Sequence, residues 1–236
     1  LLMFRGVAQV LVGTTRAGFE QSFVSISNGG AAGLTGFIGN LDAFTIIVGL
    51  VAIAALVFST LRRRIINTRR KLEVEPIPLM LVKLIGLTVL IGLATYWIAD
   101  SKLGLPYVLV IVGAVIVLYA WMMGNTIFGR HIYAMGGNLA AAKLSGINTR
   151  KTNFWLFVNM GVLCGLTAVV VTSRAGAAVA AAGQNYELDA IAACFIGGAA
   201  VTGGIGRVSG AIIGALIMGV LNMGLSIMGV DPSWQF

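Results

Sequence analysis

Four stretches of this chain run for about twenty residues with almost no charge: Ala43 to Leu61, Leu79 to Ala99, Leu105 to Gly124 and Asn153 to Ser173. A helix rises about 1.5 Å per residue, so about 20 apolar residues cross the roughly 30 Å hydrocarbon layer of a bilayer. Gly210 to Gly229 is a fifth candidate, softened by glycines, and Leu1 to Gly13 reads as the tail of a span interrupted by Arg5. The window Ala190 to Gly203 is apolar but too short to cross untilted. It predicts a half-helix or a short helix buried among others, because backbone at membrane depth must be hydrogen-bonded internally or line a cavity. The pattern therefore predicts an all-α, polytopic transmembrane helix bundle of about six or seven segments, some short or re-entrant, forming a single domain over residues 1–236. The chain opens at Leu1 inside an apolar run and stops at Phe236 just after another, so it reads as truncated at both ends.

Composition supports this. Hydrophobic residues make up 58% of the 236 and charged residues only 10%, with mean hydropathy +0.96. A water-soluble domain of this size needs a charged exterior, about a quarter of its residues, and this chain lacks one. The net charge of +8 sits between the apolar segments. It forms no basic stripe with an aromatic platform, so no nucleic-acid partner is expected.

The placement of the basic residues sets an orientation. RRRIINTRRK, from Arg62 to Lys71, and the loop 125–152, with Arg130, Lys143, Arg150 and Lys151, read as cytoplasmic. The short turn Asp100 to Gly104 and the stretches Thr14 to Asp42 and Arg174 to Asp189 then fall outside, and the turn Gly204 to Ser209 inside or just within the membrane.

Little in the sequence suggests chemistry. His131 is the one histidine and lies beside Arg130 in a basic loop, which suits a solvated or structural role. Cys164 and Cys194 sit in apolar segments without CxxC spacing, so neither a disulfide nor a metal site is expected. No G-x-x-x-x-G-K-[ST] phosphate loop occurs, so ATP chemistry would have to come from a partner. GGIGRVSG, Gly203 to Gly210, follows a membrane-depth segment and reads as a tight turn between short helices, with Arg207 placed to meet C-terminal carbonyls. Charge inside the spans is sparse, which argues against a proton-coupled carrier. The uncharged polar residues Asn159, Thr167, Thr172 and Asn222 remain, able either to meet a hydroxyl-rich solute or to bond neighbouring helices. Glu187 and Asp189 precede the short apolar window and suit a helix N-terminus, or, with Arg174, an outer docking face. Gly161 with Gly165 and Gly210 with Gly214 have the spacing of helix-packing faces in lipid.

The loop GRHIYAMGGNLAAAKLSGINTRK, Gly129 to Lys151, contains a Gly-Gly-Asn break, a small-residue helical run from Leu139 to Leu144 and a terminating Ser-Gly. With AGQNYELDAIAACFIGG (Ala182 to Gly198) and GALIMGVLNMGLSIMG (Gly214 to Gly229), it resembles the permease subunits of bacterial monosaccharide ABC importers. The likeness is to the D-xylose and multiple-monosaccharide branch, relatives of the ribose permease. It is dense from Gly129 to Phe236 and looser but collinear before Gly124. The family pattern differs at Leu139, where many relatives are acidic, at Gln184 and Asn185, and at Met223 after Asn222.

The resemblance implies a multi-pass permease of the bacterial inner membrane that receives sugar from a periplasmic sugar-binding protein. A partner ABC ATPase subunit would use the ATP, so the chain needs no cofactor and is no enzyme. A second permease copy and membrane lipid complete the expected partners. Gly136 to Ile147, with Gly136, Gly137, Asn138, Ala141, Leu144, Ser145 and Gly146, would dock the ATPase as a coupling helix within the 125–152 loop. A secondary carrier for small metabolites and a branched-chain amino-acid ABC permease are the alternatives.

Overall fold

The computed structural model describes residues 2–32, 36–38, 41–69, 76–101, 103–179 and 181–229. Arg70, Lys71, Lys102 and the last residues to Phe236 lie outside them. In chain order the elements are α1 (Leu2–Val12), β1 (Arg16–Ala17), α2 (Gln21–Asn28), β2 (Phe37–Ile38), β3 (Leu41–Asp42), α3 (Ala43–Arg69) and α4 (Ile77–Ala99). There follow α5 (Tyr107–Asn125), α6 (Ile127–Gly137), α7 (Leu139–Leu144), α8 (Thr149–Ala175), β4 (Ala177–Ala178), α9 (Tyr186–Ile196) and α10 (Val208–Ile227).

Among the described residues five helices, α3, α4, α5, α8 and α10, are long and apolar enough to cross a membrane. Their large apolar side chains face outward: Val82, Trp97, Val117 and Val220 are each more than two-thirds exposed. Water would not tolerate so much apolar surface, whereas lipid covers it. The fold is thus an all-α, multi-pass membrane bundle. α9, of 11 residues, is too short to cross, as expected for the short apolar window, but it lies at Tyr186–Ile196 and so begins several residues before the window Ala190 to Gly203.

Two details differ from the sequence reading. The basic stretch after the first span is not a loop: α3 runs on through Arg62, Arg64 and Asn67 to Arg69, for 27 residues. No glycine or proline interrupts it there, and Arg is a good helix former. α9 begins at Tyr186, so Glu187 and Asp189 occupy its first turn instead of preceding it.

The contacts divide the chain into two compact units, Gln21–Val110 and the combination of Leu1–Glu20 with Ile111–Phe236. In the first, α3 and α4 form a hairpin with Gly49 lying against Thr95. Asp42, fully buried, caps α3 by accepting from the backbone N–H and Oγ1 of Thr45 at 2.9 and 2.7 Å. Backbone bonds from Ala31 N to Leu105 O (2.9 Å) and from Tyr107 N to Gly29 O (3.1 Å) tie two segments that the charge pattern assigns to one side.

In the second unit, β1 pairs antiparallel with β4, again joining two stretches assigned to the outer side. α9 and α10 form a tight hairpin in which Gly210 meets the backbone of Gly197, and Gly214 meets Ala193 and Gly197. No Cβ fits at either position, which is how small residues let helices approach in lipid. Gly161 and Gly165, with the same spacing on α8, have open space around them.

Candidate functional site

The segment 125–152 is three helices joined by two capped breaks. Thr126 caps α6 by accepting from Gly129 N. Asn138 ends α6 and begins α7: its N–H donates to Ala134 O at 3.1 Å, while its Oδ1 accepts from Ala141 N at 3.0 Å. Asn148 caps α8 by accepting from Lys151 N at 3.0 Å. The short helix α7 ends in a Schellman arrangement, with Ile147 N donating to Ala142 O and Gly146 N to Lys143 O. Gly146 takes φ +81 there, a conformation that a side chain would strain. Ser145 Oγ adds a bond to Ala141 O. Each break thus has a capping hydrogen bond, so α6, α7 and the start of α8 form a hydrogen-bonded elbow.

The elbow exposes its tip. Leu144 is 90% exposed on the last turn of α7, and Ala141 is exposed one turn earlier, while Ala142 is buried.

At the other end of the elbow, α6 meets the turn between α9 and α10. A Cβ on Gly136 would lie 2.6 Å from Gly204 N, and one on Gly204 would lie 2.7 Å from Gly137 Cα. Gly203 and Gly204 both have positive φ, +87 and +74, so the turn needs glycine for its conformation as well as for its close approach. Tyr133 donates its hydroxyl to Gly206 O at 2.9 Å. Arg207 stands at the N-cap of α10.

The residues considered for a solute path separate. Asn159 Oδ1 accepts from the Tyr119 hydroxyl at 2.6 Å, bonding α8 to α5. Thr167 and Thr172 of α8 both line a cavity of about 510 Å³, bounded on its other side by Tyr186, Glu187 and Ala190 at the start of α9. The wall is apolar apart from these groups. Thr167 Oγ1 donates to Leu163 O of its own helix at 2.9 Å and keeps lone pairs for an acceptor role. Asn222 lies on α10 and is not among the cavity's lining residues.

Of the docking candidates, Glu187 makes an internal ion pair. Its Oε1 accepts from the Arg5 guanidinium at 2.7 Å, linking α1 to α9 with both side chains about one-third exposed. Arg5, which interrupts the apolar run of α1, thereby has an opposite charge. Arg174 closes the last turn of α8 and Asp189 follows Glu187 in the first turn of α9. The Arg5 pairing and the contact of Tyr133 with Gly206 escaped the sequence reading, since partners 182 and 73 residues apart carry no local signal.

Long lipid-compatible helices, a half-length helix and a capped elbow with an open tip define a multi-pass helical membrane protein. Over residues 23–235 the chain matches the family described as branched-chain amino acid transport system / permease component, and it belongs to that family. It is 36% identical over 236 residues, all of its length, to the xylose transport system permease protein XylH of Haemophilus influenzae, covering 60% of that protein. It is 35% identical over 237 aligned residues to XylH of Escherichia coli K12, covering 58% of it. The ribose import permease protein RbsC of Escherichia coli K12 is 44% identical over 133 residues, 56% of this chain and 41% of that protein. The chain thus spans about 60% of the length of the xylose permeases it matches. No solved structure matches it.

Proposed function

We propose that this chain is the membrane-spanning permease part of an ABC importer that carries a monosaccharide, a pentose such as xylose, into a bacterial cell. The observation that carries this reading is identity to a permease named for xylose along the whole chain, 36% over 236 residues. The family's description mentions branched-chain amino acids, but full-length identity to xylose permeases, with RbsC also matching, favours a sugar.

In this scheme the elbow tip at Ala141 and Leu144, framed by Gly136, Gly137, Asn138, Ser145 and Gly146, docks a separate ATPase subunit, and ATP is used there. Its capped ends suit a part that must pass on a push without unfolding. A periplasmic sugar-binding protein delivers the sugar to the end of the molecule carrying Arg174, Glu187 and Asp189. Thr167 and Thr172 offer hydroxyls along the route, Asn159 holds α8 to α5, and a second permease copy completes the pathway in lipid.

The test is transport in cells that lack their own xylose and ribose permeases. Expression of the full-length protein with its ATPase and binding protein should restore uptake of labelled xylose or ribose and leave leucine uptake unchanged. Leucine uptake without pentose uptake would return the chain to an amino-acid role.

A further inference from the structure

The elbow ends on a second structural part, and the contact between them involves backbone as well as side chains. Gly136 and Gly137 of α6 lie against Gly203 and Gly204 so closely that no Cβ fits on Gly136, Gly203 or Gly204. The Tyr133 hydroxyl bonds Gly206 O across the same junction at 2.9 Å. From this turn the chain runs in one direction into α10 and in the other into α9, and these two helices are locked by Gly197, Gly210 and Gly214. The first turn of α9, with Tyr186 and Glu187, is one wall of the cavity that Thr167 and Thr172 face. On the other side of the junction, Asn138 hydrogen-bonds α6 to α7 with no free residue between them.

We propose that Tyr133 and the 203–206 turn are the transmission contact of this permease: movement of the elbow tip is passed through Gly136 and Tyr133 to the α9–α10 hairpin, which reshapes the cavity at the start of α9. The proposal rests on the importer reading above and adds to it the part that receives the push. Three features of the geometry support it. Backbone-to-backbone contact is stiff, because it has no rotamers to absorb a displacement. The hydroxyl bond makes the contact directional, so the turn is pulled as well as pushed. A cavity of about 360 Å³, lined by Tyr133, Gly198, Gly204, Arg207 and Ser209, lies beside the turn and leaves room for it to shift. Tyr133 is thus a positioning residue; it acts on the path through the hairpin and not by touching sugar.

The test uses the full-length permease with its ATPase and binding protein in proteoliposomes, and reads labelled xylose moved per ATP hydrolysed. Tyr133→Phe keeps the ring and removes one neutral hydrogen bond, so xylose uptake should fall about fivefold. ATP hydrolysis stimulated by loaded binding protein should stay within about twofold, so the ratio falls. Gly204→Ala, which places a methyl against Gly137, should lower the ratio further. If that variant does not fold, Tyr133→Phe decides alone. A ratio equal to wild type in Tyr133→Phe, whether both rates fall together or neither does, overturns the proposal. A wild-type complex that moves no pentose would instead remove the importer reading.

Discussion

The α3–α4 hairpin and the elbow with its receiving turn are both helical, yet they are held by different forces. In the hairpin the backbone bonds are satisfied along two helices of 27 and 23 residues, and most side chains face outward, where one apolar residue serves about as well as another. One close contact, Gly49 against Thr95, and one long-range bond, from Arg64 Nη1 to Met80 Sδ, stand out among the described residues. In the elbow three caps, a Schellman turn and a glycine-on-glycine contact are concentrated within a few tens of residues. The spans are therefore tolerant in sequence and the elbow is not, although the spans carry most of the hydrophobicity. Where hydrocarbon is the solvent, apolar residues say where a helix lies, and polar caps and glycines say what it must do.

The largest expected effect breaks the packing of α9 on α10. Gly214→Leu would thrust a side chain into Ala193 and Gly197 and should destabilise the α9–α10 hairpin by about 3 kcal/mol or more, read as lost thermal stability in detergent. Gly161→Leu, a glycine with the same i, i+4 partnering but open space around it, should change stability by less than about 0.5 kcal/mol. Equal losses in the two variants would erase the distinction.

A charge at the elbow tip comes next. Leu144→Glu or Ala141→Glu should leave insertion and stability intact, because both side chains are exposed, and should cut stimulation of the partner ATPase about tenfold or more. Normal stimulation in both would remove this tip from coupling. Asn138→Ala, which loses the cap shared by α6 and α7, should cost about 1 kcal/mol of stability. Thr88→Ala on α4, where the hydroxyl bonds Ile85 O of its own helix, should cost little that a melt can detect. At the Arg5–Glu187 pair, Glu187→Gln should lower stability by about 1 kcal/mol at most, less in high salt.

Which features the sequence revealed follows from the same contrast. The spans were readable because length and lack of charge are local properties, and the Leu139 to Leu144 helix was readable because Asn138, Ser145 and Gly146 mark its ends by their own chemistry. The Gly210 and Gly214 pair looked the same in sequence as Gly161 and Gly165, and only the approach of α9 separates them. The basic run after the first span resembles a loop in sequence because charge ends the membrane-buried part of a helix, but it need not end the helix itself. The Gly136 to Gly204 contact joins residues whose nearness depends on the entire intervening chain.

The proposed function requires that sugar moves only with an ATPase and a binding protein. The direct measurement is uptake of labelled xylose into proteoliposomes containing the full-length permease, with each partner added or omitted. Concentrative uptake is expected only when ATP, the ATPase subunit and the loaded binding protein are all present. Concentrative uptake by the permease alone, driven by an ion gradient, would contradict it and make the protein a secondary carrier.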